Sequence, residues 1–396
     1  MRSKRRHRRR GSGVEEEVGA LVTRIEKQFD GTPLSVVGDR LLRVLHSLPE
    51  GISREQWEPV KQTFQAIIQR LPEEVGPRFY FDSHLLQQVK DSWQRGPAIL
   101  PGTVIPVYRG KWQYEPVRVP GMRRQDQRVH CLYLIGIEEE KGQRVDTPPF
   151  LLDYSFLCHE LAHNLVQKNE DPLVGRLEDT LKEVLREQAR RRMPLRGQAK
   201  SRSESRSDEI KQHWSIQHQG MWAFELAIDV ITLWTCGPAY LNTLTHYLRE
   251  HYDVKFQIVP SHPPAALRGE VLLRAARHLE WSDYAGELKS RVNDWMQQGP
   301  PSFNRYQSLT DEQIVGGCLD AAFDYCEKMN LPRLTQDDLA RIESQIEENR
   351  ELVGTDLIVG AWIVDQRRDE DGYNQWEQNV FRDFIGDLQE EEEMTS

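Results

Sequence analysis

Residues 151–168, LLDYSFLCHELAHNLVQK, leave the chain few choices. The run is apolar nearly all round, yet His159, Glu160 and His163 sit in its middle. Buried imidazoles and carboxylates must find a partner. Residues i and i+4 share a helix face, so His159 and His163 can aim two imidazoles at one metal ion. Glu160, one residue round, can reach a water held there. Pro148 and Pro149 precede the run, Asp153 offers an N-cap, and Phe156, Leu157, Leu161 and Leu165 recur at helical spacing. Two neutral imidazoles and a carboxylate suit zinc. The competing reading is an ordinary polar face, since a chain with 12 His can match H-E-x-x-H by chance. Solvated faces do not normally interrupt an otherwise apolar helix, and that favours the metal.

A second helix repeats the conflict. Residues 220–236, GMWAFELAIDVITLWTC, are apolar except for Glu225 and Asp229, and Gly237-Pro238 stops them. Acids four apart share a face and need cations or strong donors when buried. A zinc ion would satisfy Glu225, and the second N–H of a zinc-bound histidine would satisfy Asp229. Core Arg or Lys residues would serve equally. If Glu225 is not a ligand, His218, His246 and His251 are the other candidates.

Elsewhere the sequence sets broader limits. Hydrophobic content of 38% and ten Trp are enough for a real core. A formal charge of −10 argues against general nucleic-acid binding by the folded body. Residues 1–13, MRSKRRHRRRGSG, read as a disordered basic tail, with contact to nucleic acid or another polyanion as its functional alternative. Five widely spaced cysteines without C-x-x-C indicate neither a disulfide framework nor a cysteine zinc site, which suits a reducing cytoplasm. No apolar run approaches membrane-spanning length, the longest being about CLYLIGI. The basic N-terminus has no apolar segment behind it and is not a secretory signal.

The expected fold class is mainly α (α+β). Residues 14–99 form a helical N-terminal region and residues 301–386 a helical C-terminal one, with an acidic tail at 387–396. Residues 100–139 are rich in Val, Ile and Tyr and broken by Pro and Gly, which predicts a small antiparallel sheet. Its last strand, 130–137, is either an exposed edge able to pair with an extended peptide or a covered core strand. Residues 172–193 form an amphipathic helix, and 194–219, serine- and arginine-rich with little to bury, form a mobile loop. Pro263 and Pro264 open a further helix, with His262 at its mouth and Arg268 in its first turns.

His159-Glu160-x-x-His163 followed by Glu225-x-x-x-Asp229 on a later helix resembles the gluzincin zinc metallopeptidases. Ser261-His262-Pro263 with Arg268 is similar to a stretch of their HtpX-like branch. The resemblance covers about residues 128–275. It implies a helical zincin-like core over residues 100–300, with His159, His163 and Glu225 as zinc ligands. It further implies Glu160 as the base, Asp229 as the support of a ligand histidine, and His262 and Arg268 as a transition-state or structural pair. HtpX-like enzymes are membrane proteins, so their substrates do not carry over to a chain without a spanning segment. ImmA/IrrE-type regulatory proteases share an H-E-x-x-H and a later acid-bearing helix and stay open as relatives. The metzincin pattern fails at Val166 and Asn169, where it needs Gly and His.

The expectation is therefore a zinc-dependent metalloendopeptidase acting on protein or peptide substrates, in which Glu160 takes a proton from a metal-activated water. The alternatives are a non-catalytic zinc scaffold and a regulatory partner protein working through the basic tail.

Overall fold

The computed structural model describes residues 5–29, 35–46, 48, 51–70, 77–93, 103–108, 113–117, 132–137, 151–166, 172–192, 198–250, 256–298 and 303–395. The chain is mainly helical. It divides into two compact units, one of residues 1–90, 100–149 and 375–396, the other of residues 91–99 and 150–374.

In the first unit, α1 (Arg5–Phe29), α2 (Ser35–His46) and α3 (Arg54–Arg70) share an apolar core that includes Leu21, Ile25, Phe29, Leu41, Trp57 and Phe64. Next comes α4 (Pro77–Trp93). Residues 5–13, expected within an unstructured basic tail, are instead the first turns of α1. The sheet also belongs to this unit and not to the one carrying the histidines, so residues 100–300 are not one core. Strands β1 (Thr103–Tyr108), β2 (Gln113–Val117) and β3 (Leu132–Ile137) lie in the order β1-β3-β2. Strand β3 runs parallel to β1 and antiparallel to β2, so the pairing is mixed, against the antiparallel expectation. Pro106 and Pro116 account for the order of the strands. Proline cannot donate to a ladder, which confines both flanking strands to the edges and leaves the proline-free β3 the centre. Paired on both sides, β3 has no edge to offer a peptide.

The second unit is built around one helix. Its elements are α5 (Ser155–Leu165), α6 (Pro172–Arg192), α7 (Gln198–Trp214), α8 (Trp222–Cys236), α9 (Pro238–Glu250) and α10 (Ala265–His278), then α11 (Gly286–Gln298), α12 (Phe303–Leu309), α13 (Glu312–Lys328), α14 (Gln336–Glu347) and α15 (Thr355–Arg367). Helix α16 (Glu370–Thr395), which belongs to the first unit from residue 375 on, carries the expected acidic tail as helix up to Thr395. Every residue of α8 is buried, as a helix apolar all round must be. It packs against α5, α6, α7, α9, α10, α13 and α15. Burial of each large apolar side chain contributes ~1.5–3 kcal/mol, which offsets the presence of two buried acids in the same helix.

Two sequence boundaries move. Residues 301–374 do not form a separate flanking region, because α13 and α15 are part of the packing around α8. Most of the expected mobile loop is α7, followed by a 3-10 turn at Ile216–His218. Tertiary contacts anchor it. Ile210 and Trp214 are buried, the Trp214 indole N–H donates to Leu309 O at 2.9 Å, and Arg206 donates to Ser308 O at 2.9 Å. Among the described residues, no helix is long and apolar enough to cross a membrane.

Candidate metal centre

Helix α5 supplies the two imidazoles. A 3-10 turn, Leu151–Tyr154, leads into it, so the residue at the cap is Tyr154 and not Asp153, with no side-chain cap. The backbone leaves helical geometry at Val166, whose N–H still reaches Ala162 O. His159 and Glu160 are buried, and the His163 side chain is 12% exposed. The two rings meet edge to face, with centroids 4.9 Å apart. Phe224, one residue before Glu225 on α8, lies against the His163 ring at 5.4 Å.

Helix α8 brings the third group. Glu225 Oε2 lies 3.7 Å from His159 Nε2 and 3.6 Å from His163 Nε2. Ligands held tetrahedrally at ~2.0–2.1 Å from zinc stand ~3.4 Å from one another. The two separations from Glu225 are close to that spacing, and two imidazoles with a carboxylate are donors that zinc takes. Ligand atoms of His159, Glu160 and His163 also lie within 4.8 Å of one another. This places the Glu160 carboxylate in the same cluster.

Behind His159 stands a buried polar network. Its Nδ1 is 3.3 Å from Asp229 Oδ1 and 3.0 Å from the Tyr240 hydroxyl. That hydroxyl donates to Asp229 Oδ1 at 2.5 Å. Arg268 donates through Nε to Asp229 Oδ2 at 2.8 Å and through Nη2 to Oδ1 at 2.6 Å. Burial alone would raise the Asp229 pKa, but the Arg268 charge and the His159 hydrogen bond hold it well below the usual carboxylate range. Burial likewise opposes ionisation of Glu225, and the nearby imidazoles overcome it, bringing its pKa to about 2. For His159, burial lowers the pKa, while hydrogen bonds to Asp229 and Glu225 win and raise it to about 9.

The structure brings together six of the seven site residues read from the sequence: His159, Glu160, His163, Glu225, Asp229 and Arg268. Arg268 is 4% exposed, and its Nε and Nη2 donate to Asp229, so it braces that acid. His262 is exposed, on a segment docked to the start of α8 by Met221 N–H to Pro260 O at 2.9 Å and the Trp222 indole N–H to Val259 O at 2.7 Å. The protein around it lowers its pKa, and its charge is felt at Glu225. Of the alternative ligands, His218 is exposed and bonds Ser215 Oγ through Nδ1 at 2.9 Å, His246 is half-buried on α9, and His251 lies outside the described residues.

Tyr240 is the residue that the sequence reading missed. It lies in the first turn of α9, immediately after the Gly-Pro stop, and only the reversal at Gly237 returns it to Asp229. Gly237 has φ +52°, and a Cβ there would lie 2.5 Å from Leu334 Cδ2. The one sequence signal was the Gly-Pro pair with a tyrosine two residues beyond it.

Comparison of the chain with protein-family models, curated proteins and solved structures finds no match.

Proposed function

We propose that this chain is a gluzincin-type, zinc-dependent metalloendopeptidase. The observation that carries the reading is the position of one Glu225 oxygen at 3.6 and 3.7 Å from the two Nε2 atoms of an H-E-x-x-H helix. His159, His163 and Glu225 would hold the ion, leaving the fourth position open as hydrolytic sites require. When bound, zinc supplies Lewis acidity, lowering the pKa of a water and polarising a carbonyl.

The protein's own groups account for the rest. Glu160 takes the proton from the attacking water and passes it to the leaving amine, which a carboxylate beside the donor cluster can do. Asp229, Tyr240 and Arg268 keep His159 from turning. His262 would donate an N–H to an oxyanion, a role that rests on the family resemblance. The buried free thiols Cys158, Cys236, Cys318 and Cys326 suit a reducing compartment, the cytoplasm.

Digestion of an unbiased peptide library by the zinc-loaded protein, with and without a chelator, tests the reading. Cleavage that the chelator abolishes supports it. Zinc bound without any cleavage favours the non-catalytic scaffold.

A further inference from the structure

The two nitrogens of His159 have different tasks. Nε2 faces Glu225 at 3.7 Å and must offer a lone pair to act as a ligand. Nδ1 faces Asp229 Oδ1 at 3.3 Å and the Tyr240 hydroxyl at 3.0 Å. A neutral imidazole carries one proton, so a ligand acting through Nε2 must keep that proton on Nδ1. A tyrosine hydroxyl does not by itself decide this, since it can donate or accept. Were it to donate to Nδ1, the ring proton would occupy Nε2 and close it to a metal.

The surroundings decide the direction. An ionised carboxylate only accepts, and Asp229 Oδ1 is 2.5 Å from the hydroxyl, closer than Nδ1. Arg268 holds Asp229 through two further bonds, which keeps it the stronger acceptor. The single hydroxyl hydrogen is therefore committed to Asp229, and only lone pairs remain for Nδ1–H. Tyr240 has no freedom to turn away. It is fully buried, its ring lies within 22° of parallel to the His159 ring, and Phe156 meets it edge-on at 6.2 Å. We infer that Tyr240 is a positioning residue that fixes the tautomer of His159, presenting Nε2 as a metal ligand. The inference rests on the zinc-site reading above but not on peptide cleavage.

Tyr240→Phe keeps the ring and removes the hydroxyl. Zinc competition against a chelator is expected to show ~10–100-fold weaker binding, the usual effect of losing a group that orients a ligand. In zinc-loaded protein with 15N-labelled histidine, the His159 Nδ1–H should be a slowly exchanging resonance that shifts and exchanges faster in the variant. A purely packing role would leave it unmoved. Tyr247→Phe, whose ring meets Phe156 at 5.1 Å, is expected to change neither reading. An unchanged zinc dissociation constant in Tyr240→Phe, or an equal loss in Tyr247→Phe, overturns the inference. Should Tyr240→Phe fail to fold, the wild-type spectrum decides, because an unprotonated Nδ1 on zinc-loaded His159 overturns it equally. Weaker zinc binding in Tyr240→Phe without cleavage by any form would remove the peptidase reading and leave this one standing. A wild type that binds no zinc ends both.

Discussion

At Glu225 and His159 opposing effects meet, and their balance sets a pH signature for the metal-free protein. Burial disfavours the charged form of both, yet each has neighbours that prevail. The His159 pKa rises from 6.5 to about 9, so its stabilising effect is complete below 6.5 and lost as pH rises through 9. The Glu225 pKa falls from 4.5 to about 2, so its effect is complete above 4.5 and lost as pH falls through 2. The contribution of this pair to metal-free stability should be greatest between the unfolded-state values of 4.5 and 6.5, measured as denaturant midpoints across pH. A midpoint that climbs steadily from pH 6.5 to 9 would contradict the assignment. Zinc must also displace the His159 proton at neutral pH. Calorimetry in buffers of different ionisation enthalpy should report about one proton released per zinc from this histidine. Among side chains, Glu225→Ala should abolish tight zinc binding, while Asp229→Ala should weaken it by ~10–100-fold. Equal, wild-type affinities in both variants would place the third ligand elsewhere.

At the scale of elements, the site depends on how α5, α8 and α9 are joined. Gly237 makes the turn from α8 to α9 at φ +52°, and an added Cβ would meet Leu334 Cδ2 at 2.5 Å, so that side chain would have to shift. Gly237→Ala should cost ~1–3 kcal/mol, because L side chains rarely adopt its backbone of φ +52° and ψ −131°, and it should also weaken zinc binding by shifting Tyr240. Thermal melts and chelator competition on the same sample check both, and wild-type values in each would mean the turn does not position the network. This is also where sequence reading reached its limit. The pairs His159/His163 and Glu225/Asp229 were legible because a helix converts a spacing of four into a shared face. Tyr240 was not, and Arg268 was reached only through the family resemblance, since their meeting with Asp229 depends on the path of the chain through later helices. Helix α7 was missed because its composition is that of a loop, and Ile210 and Trp214 anchor it only through tertiary packing. The order of the strands was not read, although Pro106 and Pro116 both mark edges, and Val- and Ile-rich segments in succession suggested an antiparallel sheet instead of the mixed one.

At the scale of the molecule, the second unit is a helical body folded around α8, with the candidate site where α5 meets it. A ligand that binds only the folded state stabilises it by mass action, ~2.7 kcal/mol at a hundredfold excess over its dissociation constant. Zinc should therefore raise the melting temperature of wild type and leave His159→Ala unmoved, whereas an equal rise in both would point to binding elsewhere. The central claim is that the site is catalytic and not merely structural, and Glu160→Gln tests it most directly. Gln nearly keeps the shape of Glu but cannot take a proton from water. The measurement is the cleavage rate of one library-derived peptide by zinc-loaded wild type and variant, with zinc content determined on the same samples. The account predicts full zinc occupancy in both and a rate lower by ~10²–10⁴-fold in the variant, the usual contribution of a general base. Equal cleavage by the two proteins would contradict it, even with the zinc in place.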